Sequence, residues 1–255
     1  MGARRVLVTG AEGTIGTAVR EHLAERYELV SLTMAPQAFP SHVADIAELD
    51  TIRPAFENVD AVVHLAASAA IETPWDDVLH NNLVGTYNVF EAARLAGVSR
   101  VVFASSNHVV GMYEVDGAPA LYDPADERSV DHTAEIRPDS LYGVSKAYGE
   151  ALGRMYMERY GLRVFCLRIG AVRAHDDPTV PATSPLIDLD AEGQRNRLRA
   201  VWLSRRDCAE LIAACLEADV SWAVVYGVSG NERRFWDLDH ARELLGWEPQ
   251  DAAPV

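Results

Sequence analysis

Residues 6–19 read VLVTGAEGTIGTAV, and the fold turns on how this stretch is read. Val6 to Thr9 is an apolar, β-branched run of strand length, and an amphipathic stretch follows from about Thr14 to Arg26. Between them stand Gly10, Gly13 and Gly16, a G-x-x-G-x-x-G spacing. At a strand-to-helix turn each glycine has a physical task. Gly10 permits the tight turn, Gly13 lets the backbone approach a pyrophosphate, and Gly16 lets helix and strand pack closely, with the phosphates at the positive helix N-terminus. The spacing alone also fits an ordinary glycine-rich turn; its place between strand and helix points to dinucleotide binding.

The same alternation continues along the chain. Short apolar runs at Leu29 to Leu32, Ala61 to Leu65, Arg100 to Ala104, Arg163 to Arg168 and Ala223 to Tyr226 predict strands. Longer amphipathic stretches at Trp75 to Ala96, Tyr142 to Tyr160, Arg205 to Ala218 and Leu238 to Leu245 predict helices. This is the α/β pattern of a parallel sheet covered on both faces, because its strands are continuously apolar. Segments 112–140 and 172–199, the second with Pro178, Pro181 and Pro185, carry turn chemistry and are read as long loops.

A dinucleotide-binding unit for NAD ordinarily ends its second strand with an acid that holds the ribose hydroxyls. Thr33 stands there; Glu28 lies too early, and no Arg or Lys occurs between Ser31 and Ser41 to grip a 2′-phosphate. NAD and NADP are therefore both expected, with reduced discrimination. Asp45 either faces the adenine edge or caps a helix.

Of 255 residues 49% are hydrophobic, enough for a sizeable core, and 23 basic against 38 acidic residues leave a net charge of −15. Such a surface repels phosphate backbones and anionic lipid, so neither nucleic acid nor membrane is an expected partner. MGARRVLVTG runs straight into a strand, which points to a cytoplasmic protein. Cys166, Cys208 and Cys215 form no CxxC and are read as core thiols, and no metal is expected.

Two further stretches carry chemistry. FASSNHVVG, residues 103–111, starts as a buried strand and ends in two hydroxyls, an amide and an imidazole, at the place where α/β sheets bind ligands. In YGVSK, residues 142–146, the i, i+4 spacing puts the Tyr142 phenol and the Lys146 ammonium on one helix face. Bringing a tyrosine from about 10 to about 7 takes roughly 4 kcal/mol, which Lys146 and an oxidised nicotinamide could supply together in a dry site.

With the glycine loop, the Ser105-Ser106 strand end and the Tyr142/Lys146 helix in order, the chain resembles the extended short-chain dehydrogenase/reductases. HLAAS at 64–68, NNLVGT at 81–86, LRIG at 167–170 and LGWEP at 245–249 extend the resemblance. It implies a Rossmann-type doubly wound parallel sheet with a small C-terminal substrate lobe, one domain over 1–255 in which 1–165 mainly bind the dinucleotide and 166–255 form the lobe. It also implies Ser106 as the hydroxyl that holds the reacting oxygen, Tyr142 as base and Lys146 as its electrostatic partner. Thr14, Ile15, Ile46, Leu65, Ala66, Ala67 and Asn82 join the cofactor set, and Ser68 the substrate set.

Asn107 and His108 replace the Asp-Glu pair that the dehydratases of the superfamily place after the hydroxyl residue, and only about 50 residues follow Trp202, fewer than epimerases use. SSNH, LYGVSK and RMY are similar to uronate dehydrogenases; WLSRRDC, DPADERS and VYGVSGNERR look closer to halophile sugar dehydrogenases, including those acting on glucose 6-phosphate. The expected activity is oxidation of a cyclic aldose at C1 to a lactone. Alternatives are a nucleotide-sugar epimerase and a non-catalytic dinucleotide sensor.

Ala171 stands where the uronate enzymes tend to have a substrate-binding serine. Arg197 matches their carboxylate-binding arginine and lies in a basic cluster with Arg195, Arg199, Arg205 and Arg206. An anion at C6 is therefore expected, phosphate or sulfonate ahead of carboxylate. Asn107 and His108 either orient sugar hydroxyls or pack under the sheet. Leu83, Tyr87, Phe90, Tyr148, Leu152, Met155 and Tyr156 exceed what one sheet face covers, and relatives pair these helices across a twofold axis, so at least a homodimer is expected.

Overall fold

Strand β1 (Arg5–Thr9) leads through Gly10 into helix α1 (Thr14–Leu23), as the opening motif requires. The computed structural model describes residues 4–180 and 183–254, and Pro181 lies outside them. After α1 come β2 (Glu28–Thr33), β3 (His42–Val43), α2 (Leu49–Ile52) and β4 (Ala61–His64). A helical run then passes from α3 (Trp75–Asp77) through a π-helical stretch, Val78–Val84, into α4 (Gly85–Leu95). The chain continues with β5 (Arg100–Ser106), α5 (Met112–Gly117), α6 (Leu141–Tyr160) and β6 (Arg163–Ile169). It closes with α7 (Ala191–Val201), α8 (Arg205–Glu217), β7 (Trp222–Gly227) and α9 (Asp239–Leu245).

The strands form one parallel sheet of seven, ordered β3-β2-β1-β4-β5-β6-β7. Because side chains alternate across a strand, each contributes to two cores. Val6 and Val8 join Val63, Val102 and Phe165 on the face covered by α1 and α8. Leu7 joins Val62, Val101, Phe103 and Val164 on the face covered by α4 and α6. The sheet is thus the doubly wound α/β layer that the alternation predicts.

The structure corrects the reading of two segments as loops. Segment 112–140 holds α5, and 172–199 holds most of α7, so Arg197 sits on a helix. Asp190 caps α7 by accepting from the Gly193 N–H at 2.7 Å, but its buried apolar residues, Leu198 and Val201, gather at the far end, too few to register as a period. Segment 112–140 returns to the C-terminal part through a bridge from Val130 to Trp236, and a bridge from Ala171 to Trp202 joins the two flanks of segment 172–199. Phe90 and Tyr156, expected on an oligomer face, are buried within the chain: Phe90 packs on Tyr156, whose hydroxyl donates to Glu91. Among the described residues no helix is long and apolar enough to cross a membrane.

Candidate active site

The carboxyl ends of β1, β2, β4, β5 and β6 open into one cavity of about 620 Å³. At one end lies the glycine loop. Gly10 has φ +68°, and a Cβ on it would stand 2.8 Å from the Ala66 nitrogen; one on Gly16 would stand 2.6 Å from the Gly10 carbonyl. Gly13 occupies the N-cap of α1 and offers no side-chain cap, which leaves the first-turn N–H groups to a ligand. Gly10, Gly13, Thr14, Ile15 and Gly16 all line the cavity, with Thr33, Ile46, Leu65, Ala66 and Ala67. The cradle fits a dinucleotide pyrophosphate, since any side chain at Gly10 or Gly16 would collide with backbone.

Two residues expected at the cofactor do not line this cavity. Asp45 accepts from the Ala47 N–H at 2.8 Å and pairs with His80 at 2.8 Å, which places it in the turn before α2. Asn82 is turned inward, accepting from the Ser68 N–H at 2.8 Å and donating to the Ser68 carbonyl and the Ser145 hydroxyl, each at 3.0 Å. Neighbours on a helix point in different directions, and it is Asn81 that reaches the lining and donates to Ser68 Oγ at 2.9 Å.

Beyond the loop, Ser106, Tyr142 and Lys146 converge. Ser106 ends β5, and its hydroxyl accepts from the His108 N–H at 3.2 Å. Ser140 caps α6 by accepting from the Gly143 N–H at 3.0 Å, which brings Tyr142 and Lys146 into the first turns of the helix. Gly143 lets α6 approach that closely, since a Cβ there would meet the His108 carbonyl at 2.3 Å. Burial pushes the Tyr142 phenol up to about 12, a hydrogen bond with Ser106 pulls it back, and the Asp139 charge adds to the rise. Burial also brings the Lys146 ammonium down to about 7. Its Nζ donates to the Ala104 carbonyl at 2.7 Å and lies 5.5 Å from the Tyr142 ring centre. In this dry site both groups move toward neutrality, and Lys146 alone does not bring the phenol into the neutral range.

The rest of the cavity is lined by Ser68, Asn107, His108, Ala171, Thr183, Ser184 and Arg197. His108 Nδ1 lies 2.7 Å from the buried Asp139 carboxylate, which fixes the ring edge-on to Tyr142 with centres 5.9 Å apart. Arg197 Nε lies 2.9 Å from Glu114 Oε1, and its Nη2 donates to Oε2 at 3.3 Å, leaving Nη1 outside the pair. Burial works against the Arg197 charge, and Glu114 beside it more than restores it. Arg195 and Arg199 are half-buried and do not reach the lining; Arg205 pairs with Glu21 and Arg206 with Asp251. The three cysteines are free and buried.

Reading by spacing missed Glu12, Asn81, Glu114, Asp139, Thr183 and Ser184. Glu12 lies inside the glycine motif and Asn81 beside Asn82, signals close at hand. Glu114 and Asp139 carry none, because their partners are remote in sequence.

The sequence pattern of the NAD dependent epimerase/dehydratase family matches residues 6–182. A NAD-dependent glucose-6-phosphate dehydrogenase of Haloferax volcanii is 40% identical, over 96% of this chain and 93% of the relative. An L-arabinose 1-dehydrogenase (NAD(P)(+)) of the same organism is 38% identical over 97% of this chain and 96% of its own. Among solved structures, a mutant uronate dehydrogenase from Agrobacterium tumefaciens complexed with NAD superposes with a TM-score of 0.81 at 33% identity, covering 99% of this chain and 86% of that one.

Proposed function

The chain belongs to the NAD dependent epimerase/dehydratase family, and from that premise we propose that it is an NAD(P)-dependent sugar dehydrogenase that oxidises the C1 hydroxyl of a cyclic aldose to the lactone. The observation that carries the reading is the meeting of Ser106, Tyr142, Lys146 and Arg197 in the cavity that also holds the glycine cradle. Bound NAD(P) supplies the hydride acceptor and, when oxidised, a positive charge that favours the phenolate. Tyr142 Oη takes the proton of the C1 hydroxyl while Ser106 Oγ holds the same oxygen. Lys146 adds its charge beside the phenol. His108, steadied by Asp139, and Asn107 orient the remaining hydroxyls, with Ser68 at the cavity wall.

Arg197 takes an anion at C6, phosphate or sulfonate ahead of carboxylate, through the donors outside its Glu114 pair. A neutral aldose is the second reading, favoured by that same pair, because Glu114 already answers the guanidinium charge. The chain acts as one cytoplasmic domain, 1–165 mainly for the dinucleotide and 166–255 for the substrate, paired as a homodimer. The test is a panel of glucose 6-phosphate, sulfoquinovose, glucuronate, glucose and L-arabinose, each with NAD and with NADP, followed at the absorbance of reduced nicotinamide. Anionic sugars are expected to be turned over best. Preference for glucose or arabinose moves the assignment to the neutral reading, and silence across the panel refutes the dehydrogenase.

A further inference from the structure

The end of β2, where a dinucleotide-binding unit ordinarily presents an acid to the adenosine ribose, carries Thr33 instead. That side chain is buried, and its hydroxyl donates to the Ala35 carbonyl at 2.9 Å and lies 3.0 Å from Ser41 Oγ, so it is committed to its own loop. A carboxylate nevertheless reaches this point from another element. Glu12, in the middle of the glycine loop, lines the cavity, and its Oε1 accepts the backbone N–H of Met34, the first residue beyond β2, at 3.1 Å. The loop is stitched to the same strand by the Gly10 N–H, which donates to the Leu32 carbonyl at 2.9 Å.

We propose that Glu12 is the cofactor-selecting residue of this chain, holding the adenosine ribose hydroxyls of NAD and repelling the 2′-phosphate of NADP. Oε1 is oriented by Met34, which leaves Oε2 to accept from a ribose hydroxyl. A 2′-phosphate would bring a further charge of about −1.5 to −2 next to this carboxylate. Arg20 beside the loop keeps its charge but is oriented by other partners: Nε donates to the Ala11 carbonyl at 3.1 Å, Nη2 donates to Thr17 at 3.2 Å, and the guanidinium lies 3.8 Å from the centre of the Phe39 ring, so holding a 2′-phosphate would require it to leave them. Thr33 by itself points to weak discrimination; Glu12 restores a preference for NAD from a different position in the chain.

The test is calorimetric titration of wild type, Glu12→Gln and Glu12→Ala with NADH and with NADPH, without sugar, so that an error in the substrate assignment leaves it intact. Gln keeps an acceptor for the Met34 N–H and removes only the charge; Ala removes both, and circular dichroism checks that each variant is folded. Wild type is expected to bind NADH more tightly than NADPH. Both substitutions should lower the ratio of the NADPH to the NADH dissociation constant by about tenfold or more, the scale of a like-charge contact at a partly exposed site. A ratio unchanged in the folded variants overturns the assignment. Wild type binding NADPH as tightly as NADH, or more tightly, does so too, since Arg20 would then have left its partners to hold the phosphate.

Discussion

Arg197 and Glu114 allow the C6-anion reading to be tested apart from the stability of the fold. The two charged groups lie 2.9 Å apart, with side chains 12% and 2% exposed, so removing either leaves the other with little solvent. At an effective dielectric constant of about 20, charge centres about 4 Å apart attract by roughly 4 kcal/mol. Arg197→Met alone should therefore cost about 3–5 kcal/mol in urea unfolding, because Glu114 is left buried and unpaired. A loss of activity in that variant would say little about the substrate. Glu114→Gln with Arg197→Met removes both charges, keeps an acceptor for the Tyr122 hydroxyl that bonds Glu114 at 3.0 Å, and should recover most of the stability. If Arg197 holds the anion, the double variant still loses about 2–4 kcal/mol in kcat/KM for glucose 6-phosphate, while glucose is affected little. Glu114→Gln alone should raise kcat/KM for the anionic sugar, since the guanidinium no longer shares its charge. A folded double variant that oxidises glucose 6-phosphate as efficiently as wild type would refute the reasoning.

Tyr142→Phe is expected to leave the NADH dissociation constant unchanged and to lower kcat by at least about two orders of magnitude, the scale of a lost general base; full turnover would remove the phenol from the mechanism. Burial holds Lys146 at about 7 against an ordinary 10.5, so between those values the unfolded chain binds one more proton than the folded one, and the stability of the cofactor-free protein rises with pH across that window. From about pH 7 to about pH 9 this contributes roughly 2 kcal/mol, and Lys146→Met should flatten the rise; urea unfolding with the same slope in both proteins would contradict it. Val84, Tyr87, Val144 and Tyr160 remain exposed on the helical run ending in α4 and on α6, and light scattering at micromolar concentration should return at least the mass of a dimer, with a monomer overturning the pairing.

The alternation of strands and helices, the glycine cradle, the polar tip of β5 and the Tyr142/Lys146 pairing were legible in the sequence because each is set within a few residues. Strand and helix periods repeat over one or two turns, a turn glycine is demanded by its own backbone, and two residues four apart on a helix share a face wherever the helix lies. Even the exchange of Asn82 for Asn81 at the cavity is a matter of one position on a helix whose existence was plain. What tertiary structure alone decided are the pairs made when distant segments return: Glu12 against Met34, 22 residues on; His108 against Asp139, 31 residues on; and Glu114 against Arg197, 83 residues on. No local period records such a pairing. A charged side chain reads the same in sequence whether water or a buried counter-ion meets it, and only the packing of α5 and α7 around one cavity determines which of the two Arg197 has.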